Sequence, residues 1–144
     1  MQPYFLPYIG YWQLIAEVDR FVLYDNIEYT KKGWINRNRF LRNGNPCSFT
    51  IPLRQGSDVL DVRDRWIAET FERDKLLRQW SGAYRAAPFF QQGMELLSPI
   101  VLWQTSSLFE YLRNSVVSLS TVSYTHLRAH ETKANLVCRL LLEK

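Results

Sequence analysis

The chain has 144 residues, of which 47% are hydrophobic and 22% charged, with a formal net charge of +4. That apolar share suffices for a core, and no stretch is long and apolar enough to span a bilayer, so membrane insertion is not expected. The modest basic surplus argues against a nucleic-acid partner, the few cysteines suit a reducing compartment, and no secretory signal is visible, so a cytoplasmic location is expected.

Taken in chain order, Met1–Pro7 places Pro3 and Pro7 around aromatic residues. A strand ending at Gln2, followed by an irregular turn, fits that pattern, and Met1 then reads as an internal methionine. Ile9, Trp12, Ile15 and Ala16 recur at helical spacing and predict a helix over Tyr8–Val18. Arg20–Tyr24 is a short apolar run of the kind found in buried interior strands, and Asp25-Asn26 ends it. Strand, helix and strand in close succession are the signature of a parallel α/β unit.

Lys31–Arg39 concentrates two lysines, two arginines, two asparagines and Trp34 in nine residues. On a strand, Asn36 and Asn38 share one face, and Arg37 and Arg39 the other. Arginine forks match carboxylate or phosphate geometry, so this stretch is either an anion-binding segment or a charged edge strand. Asn43-Gly44 between two extended segments, Asn36–Arg42 and Cys47–Leu53, predicts a β-hairpin. Val59–Val62 suggests a further short strand. Phe71–Arg85 predicts a helix with Phe71, Leu76, Leu77, Trp80 and Tyr84 towards one side, broken at Ala87-Pro88. A second helix is expected over Phe89–Leu97, stopping near Ser98-Pro99, and a third over Ser106–Leu119. Leu108, Tyr111 and Leu112 on this third helix need a partner surface, expected from sequence that the chain lacks.

Residues 122–144 read differently from the rest. All 23 back-translate in a single frame through the reverse complement of a transposase-based sequencing adapter, an index and its constant primer. We read this tail as artefactual and not a domain, which leaves 1–121 as the biological sequence. Removing the tail's four basic and two acidic residues lowers the net charge from +4 to +2 and leaves no histidine and one cysteine, Cys47. The tail's His126 and His130 stand at zinc-ligand spacing, but under this reading no metal site is expected.

The expected fold class is therefore α/β, a partial Rossmann-like parallel sheet with a β-hairpin and C-terminal helices, incomplete because the chain is truncated. In such sheets ligands bind beyond the carboxyl ends of strands, often at a helix N-terminus. Gln2–Tyr11 would lie there, and its Gly10-Tyr11 loosely resembles the Gly-His pair of a nucleotidyltransferase phosphate loop. Tyr11 would replace the histidine, offering a hydrogen bond but no cationic charge; equally, the segment could be an aromatic turn packed on the core. Asp25 and Asn26 would share that edge. Asp25 is a candidate general base, or the cap of a turn. Trp34 could stack on a ring or be buried. Gln2, Tyr4, Tyr11, Asn26, Lys32, Asn36, Arg37 and Asn38 are the candidate substrate-binding residues expected to converge with Asp25 on one cleft for an anionic small molecule. No cofactor is indicated.

Gln2-Pro3-Tyr4, Leu6-Pro7, Gly10-Tyr11-Trp12, Asp25-Asn26, Lys31–Arg39, Ile51-Pro52 and Ala83–Phe90 occur in an order and spacing that resembles the WbqC-like family. The resemblance covers nearly all of 1–121 as the N-terminal part of a WbqC-like domain. It implies a bacterial protein of roughly twice this length, linked to O-antigen and other surface-polysaccharide synthesis. The activity it suggests is a transferase step on a nucleotide-linked or lipid-linked amino sugar. The substrate would be of the sugar-nucleotide or amino-acid class, and a fragment alone would be inactive. A non-catalytic accessory protein of the same pathway is the alternative.

Overall fold

The computed structural model of the chain describes residues 1–57 and 59–124. In order they form helix α1 (Ile9–Glu17), strands β1 (Arg37–Arg42) and β2 (Asn45–Thr50), a 3₁₀ turn (Val62–Asp64), and helices α2 (Arg73–Tyr84), α3 (Phe90–Leu102) and α4 (Leu108–Tyr124). The chain is thus a mixed helix and sheet structure. The histidine pair, Cys138 and nearly all of the tail read as artefactual lie outside the described residues.

The sheet departs from expectation. Among the described residues it is one two-stranded antiparallel hairpin, β1 against β2, with Arg37 opposite Thr50 and Arg42 opposite Asn45. Asn43 and Gly44 form the two-residue turn with φ of 53° and 76°, the left-handed pair of a type I′ turn whose twist matches its strands. Arg20–Tyr24, expected as an interior strand, is instead extended chain outside any sheet. Phe21, Leu23 and Ile27 pack on the core, whereas Val22 and Tyr24 are 63% and 50% exposed. Among the described residues its backbone pairs with Met1: the Met1 amine donates to the Val22 carbonyl at 2.7 Å and Tyr24 N–H donates to the Met1 carbonyl at 2.9 Å. An apolar run buries both faces only when a layer covers each, and here one face meets solvent. Where a strand was expected at Val59–Val62, Glu28 bridges Asp61 and the chain then tightens into the 3₁₀ turn.

The core is aromatic. The Phe5 ring is fully buried, stacked on Tyr111 at 5.2 Å and edge-on to Phe49 at 6.0 Å, and Phe49 meets Trp80 edge-on at 5.4 Å. Offset and edge contacts of this kind add about 0.5–1.5 kcal/mol each beyond area burial. Leu76 and Trp80 supply the inward face of α2, as their spacing predicts. On α4, Leu108, Tyr111, Leu112, Val116 and Leu119 are all buried. Their partner is not absent sequence but the chain itself, through Phe5, the 3₁₀ turn and α3.

Helix α3 runs through Pro99 to Leu102 rather than stopping before it. A mid-helix proline costs about 3 kcal/mol. Beyond it, Ile100 and Val101 are buried, worth roughly 1.5–3 kcal/mol apiece. The Tyr111 hydroxyl also donates to the Val101 carbonyl at 2.7 Å. Burial therefore outweighs the break. No helix among the described residues is long and apolar enough to cross a membrane.

Two outcomes follow from this packing. Gly82 lies in exposed α2, where an added Cβ would meet nothing within 4 Å. Gly82→Ala should therefore stabilise the fold by about 0.5–1 kcal/mol; a denaturation midpoint that fails to rise contradicts this. Burial holds the phenols of Tyr11, Tyr84 and Tyr111 above their ordinary pKa of 10.0. They ionise more readily unfolded than folded, so stability is full below about pH 10 and declines as pH rises beyond it. Urea unfolding at neutral and strongly alkaline pH measures the decline, and equal midpoints would count against it.

Candidate functional site

Asn38 organises the site through two backbone carbonyls. Its side-chain amide donates to the Phe5 carbonyl at 3.0 Å and the Leu6 carbonyl at 2.5 Å, and its Oδ1 accepts the Arg39 N–H at 2.8 Å. Leu6 has φ of 51°, in the left-handed region. This sharp turn sends Phe5 inward, keeps Pro7 buried and brings Tyr8 to the surface, where α1 begins. Phe5 N–H also donates to the Ile35 carbonyl at 3.2 Å, tying the turn to the Lys31–Arg39 segment.

Between these two segments lies an open cleft of about 300 Å³, lined by Tyr4, Phe5, Pro7, Tyr8, Trp34, Arg37 and Asn38. Its lining is dominated by rings with one cation. Trp34 is 48% exposed, with the Arg39 guanidinium 4.7 Å from its ring centre, so of the two readings for Trp34 the structure favours the accessible ring. The Tyr8 ring lies over Gly10, where a Cβ would come within 2.5 Å of Tyr8 Cε2. Arg37 Nη2 donates to the Lys31 carbonyl, and its Nε is buried without a partner. The Nε atoms of Arg65 and Arg73 are also buried and unpartnered. Those two guanidiniums sit over core rings, Arg65 on Tyr29 at 4.6 Å and Arg73 on Phe71 at 4.9 Å. Arg37 differs because it lines the cleft.

The other candidate residues take separate places. Gln2 sits behind the cleft wall: its Oε1 accepts the Tyr4 hydroxyl at 3.0 Å and its carbonyl accepts the Tyr11 hydroxyl at 3.0 Å. Tyr11 is buried, so its hydroxyl serves the Gln2 backbone rather than the cleft. Asn36 is buried too, accepting from the Tyr29 hydroxyl at 2.9 Å and donating to the Ile51 carbonyl at 2.8 Å. Lys32 and Asn26 are exposed and Asp25 is half-buried, and none of the three lines the cleft. Asp25 belongs instead to the contact with the 3₁₀ turn, its carbonyl accepting Arg63 N–H at 3.0 Å. Tyr8 was not among the sequence candidates. Its position just after Leu6-Pro7, where the chain must turn before the helix, was the available signal.

The sequence model of the WbqC-like protein family matches residues 2–134. The chain belongs to the WbqC-like family. It is 32% identical over 128 residues to the uncharacterized protein Rv1507c of Mycobacterium tuberculosis (strain ATCC 25618 / H37Rv), covering 85% of this chain and 55% of the relative. The chain thus spans about half the length of the curated relative it matches. No solved structure matches it. In this WbqC-like chain the Arg-Asn ladder divides its work: the asparagines hold backbone carbonyls, Arg37 lines the cleft and Arg39 backs Trp34.

That division is testable. Asn36→Ala removes the partner of the buried Tyr29 hydroxyl and of the Ile51 carbonyl, and leaving buried groups unsatisfied costs about 1–3 kcal/mol each. A loss of at least about 2 kcal/mol in denaturant unfolding is expected, against under about 1 kcal/mol for Arg37→Ala; the reverse order would show that the roles are exchanged.

Proposed function

We propose that the Tyr4–Tyr8–Trp34–Arg37 cleft is part of the substrate site of a transferase in bacterial surface-polysaccharide synthesis, acting on a nucleotide-linked or lipid-linked amino sugar. The observation that carries this reading is a single arginine in an aromatic-walled cleft. Rings of that kind stack on a sugar or base, while a guanidinium binds an adjoining phosphate or carboxylate. At about 300 Å³ the cleft is at the small end of ligand sites. It suits one ring and its anionic group, with the rest of a longer substrate held by the additional length that the relative has. The parallel, Rossmann-like arrangement belongs to the same proposal, supported by the Met1 pairing with Val22 and Tyr24, which has the bonding pattern of one parallel rung. So does the assignment of 1–121 as the N-terminal part of a longer domain, acting in the cytoplasm.

Asp25 is the proposed general base, at the end of the extended Arg20–Tyr24 segment and pinned through its carbonyl. One observation favours the second reading, an accessory binding protein of the same pathway: no carboxylate lines the cleft.

Titrating sugar nucleotides into a full-length WbqC-like relative separates the two. Arg37→Ala should weaken binding about ten- to a hundred-fold, the value of a charge-assisted contact of roughly 1.5–3 kcal/mol. Asp25→Asn should abolish turnover while binding persists. Binding without turnover in the unaltered protein would establish the accessory role. Unchanged affinity in Arg37→Ala would remove the cleft from consideration.

A further inference from the structure

A second hollow, of about 390 Å³, lies between the end of the hairpin and α2 and shares no residue with the aromatic cleft. It is lined by Arg42, Asn43, Lys75, Arg78, Gln79 and Gly82. Three cations and two amides face it, and no carboxylate does. The arrangement follows from the helix period. Lys75, Arg78, Gln79 and Gly82 stand at i, i+3, i+4 and i+7 and so share one stripe of α2, while Leu76 and Trp80 take the buried face. The hairpin is fixed against this stripe by Leu41 N–H, which donates to the Tyr84 hydroxyl at 2.9 Å. Arg42 and Asn43 follow Leu41 directly and are held facing α2.

All six lining residues are exposed, and two features bear on what the hollow could take. The first is its charge. Lys75 has Glu72 at 2.6 Å, and the Arg78 charge also acts on that carboxylate, whereas Arg42 has no ion pair among the described residues. The second is Gly82. Glycine weakens an exposed helix, and here no neighbour requires it, since an added Cβ meets nothing within 4 Å. Any longer side chain would instead project into the hollow.

We propose that the Arg42–Lys75–Arg78 hollow is an anion site that takes a phosphate or diphosphate group. Two arginine forks and an ammonium surround the space, with Asn43 and Gln79 amides as neutral donors. The same chemistry recognises a phosphate on a small molecule or in an anionic lipid headgroup, and the site is open enough for either.

The test uses the full 144-residue chain. Inorganic diphosphate is titrated calorimetrically, and phosphatidylcholine vesicles with and without phosphatidylglycerol are tested by co-sedimentation. Saturable binding of diphosphate that weakens about tenfold in Arg42→Gln and in Arg78→Gln, as for loss of one charge-assisted contact, supports a soluble phosphate ligand. Binding only to phosphatidylglycerol vesicles, lost in the same variants, supports a headgroup. Gly82→Glu places a carboxylate in the hollow and should abolish either signal, whereas Gly82→Ala should keep it; circular dichroism confirms that each variant folds. Binding to neither probe overturns the proposal. So does binding that survives in Arg42→Gln and Arg78→Gln but is lost in Arg37→Ala, which would assign the anion to the aromatic cleft.

Discussion

The Phe5–Leu6 turn is the constraint on which the rest of the structure depends. Leu6 lies in left-handed backbone, which costs a non-glycine residue about 1–3 kcal/mol. The two hydrogen bonds from the Asn38 amide offset about 1 kcal/mol each. Burying the Phe5 ring against Tyr111 and Phe49 adds roughly 1.5–3 kcal/mol. The turn is therefore net favourable only as a unit, and that unit joins the start of the chain to the hairpin and to α4. The cleft is a by-product of the same geometry: a chain that reverses at Leu6 sends Phe5 in and leaves Tyr8 out.

Cationic side chains serve three distinct ends in this WbqC-like chain. Arg65 lies over the buried Tyr29 ring and Arg73 over the half-buried Phe71 ring, with Nη2 donating to Ser57 and Thr105 carbonyls at 2.8 and 3.0 Å. Arg54, Arg63 and Arg113 form exposed ion pairs, worth at most about 1 kcal/mol each. Arg37, Arg42 and Arg78 instead line concave surface. Net charge hides this distinction, because a modest total conceals where the charges gather.

What could be read in advance was what local chemistry decides. Asn43-Gly44 determines its own turn and the pairing of the strands around it, and the Leu76–Trp80 spacing determines a helix face; on α1 the spacing found the helix and Trp12, but Ala16 is exposed and Tyr11 is buried in its stead. Features decided by distant partners were not legible. Arg20–Tyr24 looks like an interior strand by composition, yet interior status depends on which layers cover it. Pro99 looks like a stop until the burial of Ile100 and Val101 is counted. Tyr111 and its neighbours seemed to want an absent partner because nothing local shows that Phe5 will stack there. For the site, Arg37, Asn38 and Tyr4 were legible as a class of residue, but residue type could not distinguish an asparagine that meets a ligand from one that holds a carbonyl. Asn36 and Asn38 do the latter.

The Phe5–Tyr111 stack also sets an order of assembly. The hairpin closes through a two-residue turn, an event on the order of 1–10 μs in isolated hairpins, and α2 and α3 are consecutive in the chain. Joining Phe5 to Tyr111 instead requires most of the described chain to be gathered first, and loop closure over such a span is what slows folding. By this measure the hairpin and the helical pair are local structures, and the aromatic cleft needs contacts of intermediate span, Asn38 and Phe5 lying 33 residues apart. The site is thus built from one element that closes locally, the hairpin, and one that must be brought to it, the N-terminal segment.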